Sequence, residues 1–125
     1  MIVGIQDVYY NVADMPRAVV FYRDILGMRV LDSNPWWTSL DCFGARIGLH
    51  GNDGATVPPI PQDERGASCG ATLTLRSTDI ETDVQYLRKN GVPIVGRSDS
   101  AWGRLAVFRD PDGNLLKLMQ PARSR

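Results

Sequence analysis

Read as a string of apolar and polar positions, the chain plays the same rhythm twice. Residues 2 to 12, IVGIQDVYYNV, are rich in β-branched and aromatic types and predict a strand. A helix is predicted over residues 14 to 26. Met15, Val19, Tyr22 and Leu26 recur at helical spacing, and Ala18, Phe21 and Ile25 widen the stripe. Asp14 stands where a helix N-cap accepts from first-turn amides, and Pro16 where a missing N–H does no harm. Gly27 supplies the stop. Short strands are predicted over 28–32, 36–42 and 45–50, the last two joined by a Phe43-Gly44 turn.

Residues 51 to 68, GNDGATVPPIPQDERGAS, break the rhythm with prolines, glycines and mixed charges that present no periodic face. The pattern then returns. A strand is predicted over 71–77, and Thr78 or Asp79 caps the helix after it, with Thr78 and Glu81 spaced as a capping box. Ile80, Val84 and Leu87 line that helix and Gly91 ends it; strands over 92–96, 104–109 and 115–120 follow. Asp110-Pro111-Asp112-Gly113-Asn114 reads as a tight turn, carrying no functional weight by itself. Each half therefore reads β-α-β-β-β. Such a repeat predicts two copies of one supersecondary unit in an α+β protein, each a curved four-stranded sheet with one helix on its convex side. One domain is expected over 1–125, with module one at 1–50, a connector at 51–68 and module two at 69–121.

Alternation assigns side chains to faces. In LLKLM, Leu116 and Leu118 point to the helix, whereas Leu115, Lys117 and Met119 take the concave face. Arg76 shares parity with Thr72 and Thr74, and Tyr9 with Asp7. Tandem Trp36 and Trp37 send one ring to each face, so one is expected in the core and the other in the cup. Trp102, in the loop SDSAWG, is expected as a lid or folded back on the body.

Composition narrows the partners. Formal net charge is zero, with 14 basic and 14 acidic residues, which offers no concentrated basic surface for nucleic acid. The apolar stretches are too short to cross a bilayer, and no basic-then-apolar leader is visible. Two cysteines, Cys42 and Cys69, without C-x-x-C spacing suggest free thiols in a reduced cytoplasmic setting. Cys42 has no base beside it in sequence, so a nucleophilic role is not expected.

Three segments carry a resemblance over almost the whole chain. DMPRAVVFYRDILGMRV, NPWWTSLDCFGARIGLH and AWGRLAVFRDPDGNLLKLMQ resemble the vicinal oxygen chelate superfamily of glyoxalase I, bleomycin-resistance proteins and extradiol dioxygenases. The resemblance implies paired βαβββ modules in a half-open cup, a homodimer, a small-molecule ligand and a divalent metal. It places the metal ligands at Asp7 and Thr72 on the first strands, and at Gly48 (or His50, two residues on) and Lys117 on the last. Relatives usually carry histidine on the first strands and glutamate on the last, and this chain departs at all four positions. Asp7 and His50 can ligate, threonine is a weak donor, and a protonated amine has no lone pair and repels a cation. The expectation is a degraded metal site, with Zn, Ni, Mn or Fe at Asp7 and His50 as the alternative, and Lys117 as a replacement charge that pairs with Asp7 or receives an anionic ligand. The expected cup is lined by Asp7, Tyr9, Trp37, His50, Thr72, Arg76, Trp102 and Lys117. Two functions stay open, a sequestering binder and a metal-dependent lyase, isomerase or dioxygenase; a metal-free acid/base enzyme using Asp7 or His50 with Lys117 is a third.

Overall fold

A computed structural model of the chain describes Met1, residues 3–51, Glu64 and residues 72–123. Most of the expected connector, and Cys69, lie outside these residues. The chain divides into two compact units, Met1–Pro59 and Ile60–Arg125. The first holds β1 (Val8–Val12), α1 (Met15–Val19) continuing as a π-helical segment (Val20–Ile25), β2 (Arg29–Ser33), β3 (Trp37–Cys42) and β4 (Ala45–Gly51). The second holds β5 (Leu73–Arg76), α2 (Ile80–Lys89), β6 (Ile94–Ser100), β7 (Gly103–Arg109) and β8 (Leu115–Pro121). Strand order is β1-β4-β3-β2 in one sheet and β5-β8-β7-β6 in the other. In each, the first strand pairs parallel with the last and the remaining ladders are antiparallel. The expected α+β architecture of two βαβββ modules is what the chain adopts.

Both helices start at their aspartates. Asp14 Oδ1 accepts from Arg17 N at 3.0 Å. Asp79 accepts from Thr82 N at 3.2 Å and from Thr82 Oγ1 at 2.8 Å. The Thr78–Glu81 capping box does not form, because Glu81 is drawn across to Arg97 and Arg104 at 2.6 and 2.5 Å. Gly91, at φ 78°, ends α2: Val92 N donates to Leu87 O and Gly91 N to Arg88 O, while Val92 is buried behind the turn. The first helix is not one regular stretch over 14–26. After Val19 its turns widen, with Leu26 N donating to Phe21 O, and the adjacent rings of Phe21 and Tyr22 both reach the core.

One face of each sheet packs on its helix. Val12, Leu40 and Leu49 are fully buried with Ala18 and Tyr22 in the first unit; Ala106, Phe108 and Leu116 are fully buried with Ile80 and Val84 in the second. The other face stays open and carries the alternate residues. The first strand is shorter than 2–12: its parallel ladder opens at Val8 opposite Ile47, and Val3 and Ile5 before it are almost fully exposed. Asp7 thus precedes β1. In the second unit, β6 runs on to Ser100, so SDSAWG is the end of a strand and a tight hairpin tip rather than a loop. No described helix is long and apolar enough to cross a membrane.

Candidate functional site

The open face of the first sheet is built from two rows of register partners. Tyr9, Gly48 and Ser39 form one row across β1, β4 and β3; Asn11, His50 and Trp37 form the next. Three rings gather there. Tyr9 and Trp37 meet edge to face with centroids 5.6 Å apart, Tyr9 and His50 lie at 5.9 Å, and Trp37 and His50 at 6.4 Å. These are separations at which aromatic quadrupoles attract. Trp37 is half-buried, while Tyr9 and His50 are exposed, so the cluster is open to solvent.

Trp37 is held in place by two features. Its indole Nε1–H donates to Ser39 Oγ at 2.8 Å, which draws the ring back along β3 towards the neighbouring row. There it covers Gly48, the register partner of Ser39. A Cβ on residue 48 would collide with Cζ2 and Cη2 of the indole and would stand 3.0 Å from Tyr9 Cβ. The bare backbone of Gly48 is the space into which Trp37 fits.

Trp36 and Trp37 do not divide between core and cup. Trp36 precedes β3 and is 58% exposed, with its amide bound to Asn34 Oδ1, and its place in the row facing the helix falls to Thr38. The Asn34 side chain accepts from both Trp36 N and Trp37 N, so the bend into β3 sets the first ring outside the sheet.

On the second sheet, Thr74, Lys117 and Val107 form one row of the open face; Arg76, Met119 and Leu105 form the next. Leu116 and Leu118 are buried on the opposite face, as alternation requires, and Lys117 is half-buried. Arg76 is exposed, and Thr72 is exposed one residue before β5. Trp102 sits on the tip joining β6 and β7, 68% exposed, with its carbonyl accepting from Ala122 N. Cys42 is half-buried on β3, and burial, then the charge of Asp41, pushes its thiol up, which favours the protonated form. A hollow of about 910 Å³ lies beside α1, lined by Met15, Pro16, Val19, Ser33 and Pro35 among others, and shares no residue with the aromatic face.

The donors among the described residues do not fit a resident divalent ion. Among the described residues no three His, Cys, Asp or Glu side chains come together to hold one. At position 48 the room for a ligating side chain is filled by the Trp37 indole, and at 117 an ammonium stands where a lone pair is needed. Tyr9, Trp37 and His50, expected in the cup, are neighbours on this face, and Ser39, not singled out from the sequence, anchors the indole. The signals for it were the Trp-x-Ser spacing on one strand face and a glycine inside a strand, which often marks close approach.

Two βαβββ modules with this strand order, each with one helix-covered and one open sheet face, define the vicinal-oxygen-chelate type of fold. The chain belongs to the Glyoxalase/Bleomycin resistance protein/Dioxygenase superfamily, whose sequence model matches residues 4–118. It is 28% identical to Metallothiol transferase FosB of Staphylococcus saprophyticus subsp. saprophyticus, over 94% of this chain and 77% of that protein. It is 29% identical to TnmS3, an antibiotic binding protein from Streptomyces sp. CB03234, with a TM-score of 0.71 over 97% of this chain and 98% of that one. A glyoxalase family protein from Enterococcus faecalis shares the fold at 21% identity, with a TM-score of 0.77 over 94% of this chain and 97% of that one.

Proposed function

We propose that this protein binds and sequesters a small organic molecule carrying an aromatic ring, without a resident metal ion. The observation that carries this reading is the indole of Trp37 lying over Gly48. A position that relatives use for a ligating side chain here supports an aromatic floor, flanked by Tyr9 and His50. A solvent-accessible set of rings with Trp37 already oriented favours a flat ligand, because stacking buries apolar area at a reduced cost for ordering the side chains. The likeness to an antibiotic binding protein supports the same reading. A homodimer in the cytoplasm belongs to the proposal as well.

The relatives named metallothiol transferase favour a second reading, a metal-dependent enzyme, with Asp7 and His50 as candidate donors in the first unit. One experiment separates the two. A Trp36→Phe/Trp102→Phe variant leaves Trp37 as the sole tryptophan. Titrated with a panel of aromatic antibiotics, it is expected to show saturable quenching by at least one member. Protein purified without chelators is expected to carry far less than one equivalent of Zn, Ni, Mn or Fe. An unresponsive Trp37 together with about one metal per chain would replace the binder with the enzyme.

A further inference from the structure

We propose that the open face of the second sheet receives the anionic group of an apolar small molecule, with Lys117 supplying the charge. This rests on the binding role proposed above and adds the chemical class of the ligand. From Asp79 onward, the acids of this unit are engaged away from Lys117. Asp79 caps α2 through Thr82. Glu81 is shared by Arg97 and Arg104, and Arg104 also holds Asp99. Asp83 accepts from Ser77. Asp110 is consumed by its own turn, accepting from Asp112 N, Asn114 N and Asn114 Nδ2, and Asp112 lies within that turn. Every one of these acids sits on the helix side or in a turn. Among the described residues of the unit, none pairs with Lys117.

Lys117 is nevertheless half-buried, between Thr74 on β5 and Val107 on β7, with Leu105 and Met119 in the adjoining row and Leu115 beside it. A partly desolvated ammonium without a counter-charge among the described residues of its own unit makes its surroundings attractive to an anion, since charge-assisted hydrogen bonds strengthen as water is excluded. Thr74 can add a hydroxyl donor from the neighbouring strand, and Arg76, two residues along the same face, adds a second positive charge. Leucine, valine and methionine supply an apolar floor. The face is therefore matched to an amphiphilic anion, a carboxylate or a phosphoryl group on a hydrophobic body, and mismatched to a cation.

The test uses two dyes of nearly the same skeleton, 8-anilinonaphthalene-1-sulfonate and the uncharged N-phenyl-1-naphthylamine. The full chain is expected to bind the sulfonate more tightly than the neutral dye. Lys117→Met should weaken the sulfonate by about tenfold or more while leaving the neutral dye unchanged, as loss of one charge-assisted bond predicts; Lys117→Arg should restore it. Displacement of the bound sulfonate by benzoate or by phenyl phosphate then tells which anion the face prefers. Equal affinity for the two dyes, a Lys117→Met variant that melts normally and binds the sulfonate as before, or displacement by neither competitor would overturn the proposal. Loss of the Trp37 response with lysine-dependent anion binding intact would remove only the aromatic reading, and the reverse result only this one.

Discussion

The six-membered ring of Trp37 rests on the backbone of Gly48, one strand away, so the two residues share a single side-chain volume. Neither can be changed independently of the other. Gly48→Ala forces the indole or β4 to move, and overpacking of this kind costs about 1–3 kcal/mol. Trp37→Ala empties the space, so the double variant is expected to be less destabilised than the sum of the two single ones. Thermal or urea unfolding of the four proteins measures the coupling; strict additivity would show that the contact does not form in solution.

Asp110 organises the last hairpin from inside. It is 5% exposed, and its carboxylate accepts from Asp112 N, Asn114 N and Asn114 Nδ2 at 2.8–2.9 Å. Asp110→Ala removes an acceptor from three donors, two of them in the buried Asn114, and is expected to cost about 2–4 kcal/mol. Asp110→Asn keeps one acceptor and is expected to fall between the alanine variant and wild type. Denaturant midpoints give the order.

Glu81 ties the middle of the second unit together across its helix side. The hydrogen bond from Arg97 above all, with Arg104 adding to it, holds the carboxyl below its ordinary value of 4.5. The unfolded chain takes up this proton more readily than the folded one. The stabilisation is therefore present above the ordinary glutamate range and is lost as pH falls through the lowered folded value. Glu81→Gln is expected to flatten the fall in melting temperature below about pH 4.5, with an effect that shrinks in high salt because all three side chains reach solvent. An unchanged acid limb would mean that the network is not formed.

The Phe43-Gly44 turn carries a misplaced residue. Phe43 is fully exposed and held at φ 50°, followed by Gly44 at φ 96°, a turn that favours Asn-Gly. Phe43→Asn is expected to raise stability by about 0.5–1 kcal/mol, since asparagine tolerates this backbone region at lower cost and removes an exposed ring. A melting temperature at or below that of wild type would show that Phe43 makes a contact of its own.

The repeat, the caps and the turns could be read along the chain because each is a local matter. An aspartate reaches amides within three residues, a glycine takes positive φ where it stands, and alternation assigns Leu116 and Lys117 to opposite faces without reference to any other strand. The widening of the first helix, the choice of Asp79 over the Thr78–Glu81 box, and the fate of Trp36 escaped such reading. Each was decided by something distant: a core for Phe21 and Tyr22, two arginines on β6 and β7, and the bend at Asn34. The aromatic floor belongs with these. That Trp37 would land on Gly48 depends on the register between β3 and β4 and on a hydroxyl at Ser39, and register is a property of paired strands that no single stretch of residues possesses.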